Sequence, residues 1–444
     1  MRIPSFSKSE PELPHIVVIG GGAGGLELVS RLSRSLGRKR LANITLVDLS
    51  LSHIWKPSLH EFAAGTKGND NEISFLEHAN RNGYQFRLGR LVGIDLDKKL
   101  VRLGSVLDAN QQQLAPDREL PFDYLVLAIG SHSNDFGCEG VKERCWFLDT
   151  PDQARRLQGE LLNLCLRFET GVYGDEKSDL SVCIVGGGAT GVELAAELRE
   201  ATEQLGLHGI DKLRNPHSFN ITLVEAGDRL LAALPENIAE KVERRLGELE
   251  IKVRTSARVK RVEPHAVVLH DDTKIPSEMT IWAAGIKAPE VLTSIRDLAL
   301  GSLGRVQTRP TLQVKGHEQV FAIGDCAEVQ WLSSDKPLPP RAQVASQQAV
   351  FLEKQMKSAI AGRELEEFEF IDKGSLVSIS DHSAIGAIMG KAFGSFTIEG
   401  WLARLSYKFL HFSHERAVQG ASRSVLRWLL SSAMKRVRPQ LKLH

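Results

Sequence analysis

The stretch HIVVIGGGAGGLELVSRL, residues 15–32, decides the fold. Its apolar, β-branched start predicts a buried strand, and the leucine and valine spacing after the glycines predicts a helix packed on a sheet. ITLVD, residues 44–48, then predicts a second strand. Strand, glycine turn, helix and strand form a βαβ unit, which indicates an α/β fold with a parallel, Rossmann-like sheet.

The glycines of this unit match the G-x-G-x-x-G pattern of dinucleotide-binding turns. The first glycine makes the tight turn, the second lets a pyrophosphate approach the backbone, and the third lets helix and strand pack closely. An acid at the end of the second strand is placed to accept hydrogen bonds from ribose hydroxyls. Because strand, helix and acid agree, the pattern predicts a dinucleotide site rather than a structural turn. The candidate residues are Gly20, Gly22, Ala23, Gly24, Gly25 and Asp48.

The pattern returns in SVCIVGGGATGVELAAELRE, residues 181–200, and ITLVE, residues 221–225. A carboxylate after the second strand favours the free 2′-hydroxyl of NADH, whereas the 2′-phosphate of NADPH calls for an arginine. Arg229 lies nearby, so NADPH stays open as the alternative. The second site is predicted to bind NADH through Gly186, Gly188, Ala189, Thr190, Gly191 and Glu225.

The composition is that of a globular protein. The 444 residues include 56 Lys and Arg against 55 Asp and Glu, and 42% are apolar, which argues against global disorder. No run reaches the ~18 apolar residues of a spanning helix, and the N-terminus lacks the features of a signal peptide. Five cysteines without ligand spacing favour a reducing compartment and predict no metal site.

The C-terminal tail, residues 401–444, has a separate charge pattern. It carries nine basic residues and one acid, a net charge of +8, whereas the other 400 residues sum to −7. Leu402, Leu405, Phe409 and Phe412 follow one helical stripe, with basic residues off it. Apolar and basic faces together suit an interfacial helix on an anionic phospholipid surface. A dimer helix stays open, and nucleic acid is disfavoured because the stripe is apolar and no binding module accompanies it.

VFAIGD, residues 320–325, ends a further predicted strand in Gly-Asp. With the N-terminal unit it resembles the FAD-binding half of the two-dinucleotide-binding flavoproteins, in which this aspartate bonds the flavin ribityl chain. LAIGS, residues 127–131, and WAAGI, residues 282–286, resemble the strands that link the two halves. The resemblance implies interleaved FAD and NADH domains. Its implied parts are 1–150 (FAD-binding, first part), 151–283 (NADH-binding), 284–385 (FAD-binding, second part, with the quinone segment) and 386–444 (amphipathic, membrane-anchoring helices).

Three further stretches are HIWKPSLHEFAAG (53–65), WAAGIKAP (282–289) and AQVASQQA (342–349). They closely resemble the type II NADH dehydrogenases, the single-subunit NADH:quinone oxidoreductases. The cysteine pair of disulfide reductases is missing after the first βαβ unit, and no cysteine follows Cys326, which argues against a sulfide:quinone oxidoreductase. The C-terminal RPQLKLH is similar to the enterobacterial branch. The resemblance runs from about residue 14 to the C-terminus. Its most specific stretch is the AQ-x-A-x-QQ pattern at 342–348, which follows FAIGDCA.

The resemblance implies a peripheral enzyme on the cytoplasmic face of a bacterial inner membrane. It would oxidise NADH and reduce a membrane quinone through non-covalently held FAD, without pumping protons. A homodimer is left open. Two alternatives remain, a soluble NADH-dependent flavin reductase of another acceptor and a flavin-binding redox sensor with little turnover.

The resemblance also implies individual site residues. Glu193 is expected to order a substrate or relay a proton to reduced quinone, the alternative being favourable charge at a helix N-terminus. Gln343 is expected to donate to a quinone carbonyl, the alternative being a helix cap. Lys373 is expected to stabilise negative charge on reduced flavin, the alternative being a surface charge. The further implied residues are Lys56, Val92, Ala128, Gly130, Asp325, Ala342 and Gln343 for FAD, Glu193 and Gly285 for NADH, and Gln343, Ser346 and Gln347 for quinone.

Overall fold

The computed structural model describes residues 13–67, 72–108, 110–174, 178–334, 336–379, 383–390 and 394–434. The chain forms two compact units, each built from several segments. The first comprises Met1–His53, Ile73–Ser131 and Ala288–Phe370, and the second Ile54–Glu72, His132–Lys287 and Ile371–His444. Residues 54–72 and 132–150, which the sequence analysis places in the first FAD-binding part, are thus grouped with the second unit.

Each unit is organised around a mainly parallel sheet. The strands of these two sheets are β1 (His15–Ile19), β2 (Asn43–Asp48), β3 (Gln85–Leu88), β4 (Tyr124–Leu127), β5 (Cys145–Phe147), β6 (Leu180–Val185), β7 (Phe219–Val224), β8 (Ile251–Arg254), β9 (Met279–Trp282), β10 (Gln313–Val314) and β11 (His317–Ala322).

The sheet of the first unit has the strand order β10-β11-β4-β1-β2-β3, with only the short β10 antiparallel among its described strands. Val18 of β1 lies between Leu46 of β2 and Val126 of β4. These side chains are fully buried, as expected of a parallel sheet covered on both faces. The strand order reverses at β1, and α/β sheets bind ligands beyond the carboxyl ends of the strands at such a point.

The sheet of the second unit repeats this arrangement with the order β5-β9-β6-β7-β8, all parallel. Ile184 of β6 lies between Leu223 of β7 and Ile281 of β9, so β6 occupies the position that β1 has in the first sheet. The predicted α/β fold with two dinucleotide-binding units is confirmed.

The helices of the described residues connect and cover these strands. In the second unit α2 packs against both α5 and α6. The helices are α1 (Ala23–Leu32), α2 (Leu59–Ala64), α3 (Phe75–Asn82), α4 (Val141–Arg144), α5 (Pro151–Glu169), α6 (Ala189–Leu207), α7 (Glu236–Glu248), α8 (Ala342–Ile360), α9 (Trp401–Gln419) and α10 (Ala421–Met434).

Short strands form smaller sheets beside the two main ones. In the first unit these are Ser52–His53 with Ile73–Ser74, Arg90–Asp95 with Leu100–Gly104 and Arg118–Pro121, Val106–Leu107 with Gln113–Ala115, and Val306–Gln307 with Ala327–Glu328. In the second unit they are His132–Ser133 with Ile286–Lys287, Val259–Glu263 with Ala266–Leu269 and Lys274–Pro276, and Gly374–Ile379 with Ser383–Gly390 and Gly394–Glu399.

The last of these sheets differs from the sequence-based expectation. The sequence predicts a helical tail from residue 386, but the structure places residues 386–390 and 394–399 in antiparallel strands before α9. The sequence SAIGAIMG contains two β-branched isoleucines and two glycines, and both residue types lower helix propensity. Helices α9 and α10 follow as predicted and are joined at Gly420. Residues 435–444, with four of the basic residues counted in the tail, lie outside the described residues.

Candidate active site

Two glycine loops lie at the switch points of the two sheets and have the same backbone geometry. Gly20 has a φ of +100°, and a Cβ on Gly20 would overlap the Ala128 carbonyl at the end of β4. Gly186 has a φ of +116°, and a Cβ there would overlap the backbone of Ala283 after β9. The backbones approach so closely that only glycine fits at either position.

The second glycine of each loop faces open space. Among the described residues, no atom lies within 4 Å of the position that a Cβ of Gly22 or Gly188 would take. Each of these glycines is also the N-cap of the following helix, α1 or α6, and neither cap has a side-chain hydrogen bond or an acid in the first turn. Unpaired N–H groups at a helix N-terminus favour a phosphate, so both loops are shaped for a pyrophosphate.

The acids that follow the second strands bind the loops directly. Asp48 Oδ2 accepts from Gly21 N at 2.6 Å, and Glu225 Oε2 accepts from Gly187 N at 2.6 Å. Burial raises the pKa of Asp48, and the backbone N–H groups partly offset this. Because a carboxylate has about four acceptor positions, each acid keeps capacity for ribose hydroxyls.

The Gly-Asp motif lies at the switch point of the first unit. Asp325 Oδ2 accepts a hydrogen bond from Ser131 Oγ at 2.9 Å, which links the ends of β11 and β4. Gln348 of α8 is buried, and its Oε1 accepts from Gly324 N at 2.7 Å. The structure therefore gives Gln348 a role in holding this turn.

Three more polar residues of the AQVASQQA stretch, Gln343, Ser346 and Gln347, lie on the first turns of α8. Gln343 and Gln347 are half-buried, and their side chains contact each other at 3.4 Å. The hydroxyl of Ser346 donates to Glu27 Oε2 of α1 at 2.7 Å. Ser346 thus fastens α8 to α1, whereas Gln343 and Ala342 begin a helix whose N-cap has no side-chain bond.

Glu193 is buried in the second unit, with 6% of its surface exposed. Its Oε1 accepts from Ser378 N at 3.0 Å, and its Oε2 lies 3.4 Å from His60 Nδ1 of α2. Burial raises the pKa of Glu193 well above its usual value; the Ser378 N–H opposes this rise, and the nearby Glu61 and Glu197 add to it. Burial therefore favours the protonated form of this carboxyl group.

The remaining predicted residues are spread over both units. Val92 is half-exposed on the small antiparallel sheet of the first unit, where Ala128 and Gly130 follow β4. Lys56 and Lys373 are exposed residues of the second unit. Gly285, also of the second unit, packs against the Phe136 ring.

No redox-active cysteine pair accompanies these residues. The cysteines of the chain are free thiols. Cys326, beside Asp325, is buried against the carbonyls of Leu127 and Ile323, and burial raises its pKa to about 11. Among the described residues, no cluster of His, Cys, Asp and Glu is arranged to hold a metal ion.

Comparison with known proteins identifies the family. The model of the pyridine nucleotide-disulphide oxidoreductases matches residues 14–349. The type II NADH:quinone oxidoreductase of Haemophilus influenzae is 37% identical to this chain over 97% of it and 100% of the relative. The chain belongs to the type II NADH:quinone oxidoreductases. The predicted resemblance is thereby confirmed.

More distant members of this family extend the similarity. The type II NADH:quinone oxidoreductase of Staphylococcus aureus is 26% identical and covers 85% of this chain and 90% of its own length. The solved structure of NDH2 from Plasmodium falciparum in complex with NADH superposes with a TM-score of 0.79, at 18% identity over 97% of this chain and 100% of that one. This structure shows that the fold is shared.

Sequence reasoning missed two residues of the site region. Glu27 follows Gly25 by two positions, as Glu193 follows Gly191, so aligning the two repeats could have found it. His60 carries no such signal, because only the packing of α2 against α6 brings it to Glu193.

Proposed function

We propose that each glycine loop binds one nucleotide of the family's reaction, FAD at Gly20–Gly25 and NADH at Gly186–Gly191. The chain is an FAD-dependent NADH:quinone oxidoreductase. One observation carries the assignment: two uncapped helix N-termini have open glycines and a carboxylate bound to the loop backbone, and only the first lies in one unit with Asp325.

Bound FAD supplies the two-electron chemistry between the NADH hydride and the quinone. In the first unit, Asp48 orients a ribose, the N-terminus of α1 binds the pyrophosphate, and the Ser131–Asp325 pair offers oxygens to the ribityl hydroxyls. In the second unit, Glu225 and the N-terminus of α6 perform the corresponding tasks for NADH. Lys56, Val92, Ala128 and Gly130 for FAD and Gly285 for NADH stay predictions.

Quinol formation needs two hydrogens, and the hydride of NADH accounts for one. We assign the second to Glu193, because a buried carboxyl group whose pKa is raised can donate a proton in the reaction. In this step the Glu193 O–H bond breaks, an O–H bond forms on the reduced quinone, and water later restores the proton. Lys373 is proposed to balance the negative charge of reduced flavin.

Gln343 and Gln347 are proposed to bind the quinone. Their amides donate without a charge, which suits a carbonyl acceptor in an apolar site. Ser346 already donates to Glu27, so its contribution is to hold α8 in position.

A pair of variants tests these assignments. Glu193→Gln keeps the shape of the side chain but removes the proton, so quinone reduction should fall about 10²–10⁴-fold, while reduction of ferricyanide, which needs no proton, stays near the wild-type rate. Gln343→Ala should likewise impair quinone reduction more than ferricyanide reduction. Equal losses with both acceptors would remove the quinone role, and an unchanged pH profile in Glu193→Gln would remove the proton-donor role.

We also propose that α9 and α10 attach the enzyme to the cytoplasmic face of an anionic inner membrane. Their described apolar side chains include Phe409, 69% exposed, and Leu426, 57% exposed, and the exposed Arg416 and Arg423 supply positive charge. Among the described residues, no helix is long and apolar enough to cross a bilayer.

Vesicle binding tests this attachment. Phe409→Glu and Leu426→Glu should each reduce sedimentation with phosphatidylglycerol-rich vesicles. The matched control is Leu207→Glu, which charges a 71% exposed leucine outside the tail and should leave binding unchanged. If all three variants sediment like the wild type, the tail is not the membrane contact.

A further inference from the structure

The buried carboxyl of Glu193 sits among groups from three elements. α6 supplies Glu193 and Glu197, α2 supplies His60 and Glu61, and strand Gly374–Ile379 supplies the Ser378 N–H. Only the His60 side chain, among the described residues, faces Glu193 Oε2 as a polar partner within 4 Å.

The other ionisable groups here have partners of their own. Glu61 Oε2 accepts from Lys67 Nζ at 2.7 Å, and although burial acts to raise the pKa of Glu61, the Lys67 ammonium lowers it to about 2. Glu197 Oε2 accepts from Thr66 Oγ1 at 2.6 Å. Lys67 also faces Glu415 of α9. Glu61 is therefore paired with a cation and Glu197 with a hydroxyl, and both carboxylates still raise the pKa of Glu193.

His60 is 3% exposed, and burial lowers its pKa to about 4, so its ring is neutral at neutral pH. The charges of Glu61 and Lys67 act on this ring in opposite directions. Its Nε2 is buried and has no hydrogen-bond partner among the described residues. Buried polar atoms are rarely left unpaired, so a half-satisfied imidazole in a core suggests more than packing.

The residue of the first βαβ repeat that corresponds to Glu193 has a different kind of partner. Glu27, two residues after Gly25, is 1% exposed and pairs with the guanidinium of Arg31 at 2.7 Å. The two repeats thus give one buried glutamate a cationic partner and the other a neutral one.

We propose that His60 is a positioning residue for Glu193: its neutral imidazole offers Nδ1 as an acceptor for the Glu193 O–H and holds the proton ready without ionising the carboxyl. This inference rests on the proposed role of Glu193 as proton donor. At 3.4 Å a small rotation of the carboxyl group brings the two atoms to hydrogen-bond distance. A leucine in place of His60 would leave the Glu193 O–H unpaired, and a lysine there would favour the ionised form of Glu193.

The test changes the partner and follows the proton in the holoenzyme. His60→Lys places a cation beside Glu193, so the high-pH limb of quinone reduction should move to lower pH by about 1–3 units. His60→Leu removes the acceptor that favours the protonated form, so it should also move the limb to lower pH, by less than His60→Lys does, and His60→Asn, which keeps a neutral acceptor, should restore it. Infrared spectroscopy of the protonated carboxyl band should show the same order of midpoints, independently of turnover.

A matched control separates this effect from general damage. His78 is also buried, but both of its ring nitrogens have partners, the Tyr84 hydroxyl and the Asn82 amide. His78→Asn should lower stability and leave the pH profile unchanged. If His60→Lys does not fold, the shift to lower pH in His60→Leu and its recovery in His60→Asn still decide the matter.

The outcomes distinguish the two levels of the proposal. If Glu193→Gln abolishes the pH limb and the infrared band, but no His60 variant moves them, the role of His60 is wrong and that of Glu193 stands. If Glu193→Gln changes neither, the proton-donor role itself is wrong.

Discussion

The two glycine-loop units share one design and differ in what they place two residues after the third glycine. In the first, Glu27 is paired with Arg31 and with the Ser346 hydroxyl, which joins α1 to α8. In the second, Glu193 meets a backbone N–H and a neutral imidazole. The same residue type at the same place therefore has a cationic partner in one unit and, in the other, a neutral partner and a pKa that burial raises. The partner, not the glutamate, sets this difference.

Removing the partners of Glu27 and Glu193 should give the largest difference, which is one of stability. Arg31→Met leaves the 1% exposed Glu27 without its cation and should lower the free energy of unfolding by about 3–5 kcal/mol. His60→Leu leaves only an uncharged O–H unpaired and should cost about 1–3 kcal/mol. Denaturant unfolding checks both values, with Arg31→Lys as the control that retains the cation. Equal losses would contradict the different charge states.

The open glycines test the division of the nucleotides. An alanine at Gly22 or Gly188 meets no described protein atom within 4 Å, so each variant should fold normally and clash only with bound nucleotide. Overpacking costs about 1–3 kcal/mol. Gly22→Ala should therefore lose FAD affinity, and Gly188→Ala should raise the KM for NADH by about ten- to a hundredfold. Flavin content and steady-state kinetics measure the two effects. The reverse pattern would exchange the two sites.

Two buried imidazoles, His53 in the first unit and His60 in the second, should make stability depend on acid in both units. Burial lowers the pKa of His53 and of His60 from 6.5 to about 4. Because the unfolded chain binds these protons first, the stability they contribute is present above pH 6.5 and lost as the pH falls towards 4. Each should reduce the free energy of unfolding by about 2 kcal/mol at pH 5. Glutamine at either position should flatten this dependence, and the exposed His208→Gln should not.

The choice of nucleotide gives the smallest expected effect. Arg229 donates to the carbonyls of Leu234 and Ala232, so its guanidinium is already engaged and Glu225 faces the ribose site. The wild type should prefer NADH, and Glu225→Ala should narrow the ratio of kcat/KM for NADH over NADPH by about tenfold. A clear preference of the wild type for NADPH would contradict the role of Glu225.

These comparisons also show what the sequence could predict. Both βαβ units follow from glycine spacing and apolar runs, because the close backbone approaches at Gly20 and Gly186 admit only one residue type. The carboxyl groups of Asp48 and Glu225 follow from strand position in the same way.

What the sequence could not predict depends on contacts between distant segments. His60 reaches Glu193 only through packing of α2 on α6, and Ser346 is drawn to Glu27 by the contact of α8 with α1. The basic, aromatic composition of the tail predicts a helix from residue 386, but residues 386–390 and 394–399 form strands because they pair with each other and with strand Gly374–Ile379. Local patterns therefore found the nucleotide loops but not the partners that set the charge of the buried glutamates.

Infrared difference spectroscopy of the holoenzyme at pH 7 tests the central claim most directly. The wild type should show the C=O band of a protonated, buried carboxyl group. Glu193→Gln should remove this band, and Glu27→Gln should leave it in place. A band that survives in Glu193→Gln, or one that disappears in Glu27→Gln, would contradict the claim that Glu193 holds the proton for quinol formation.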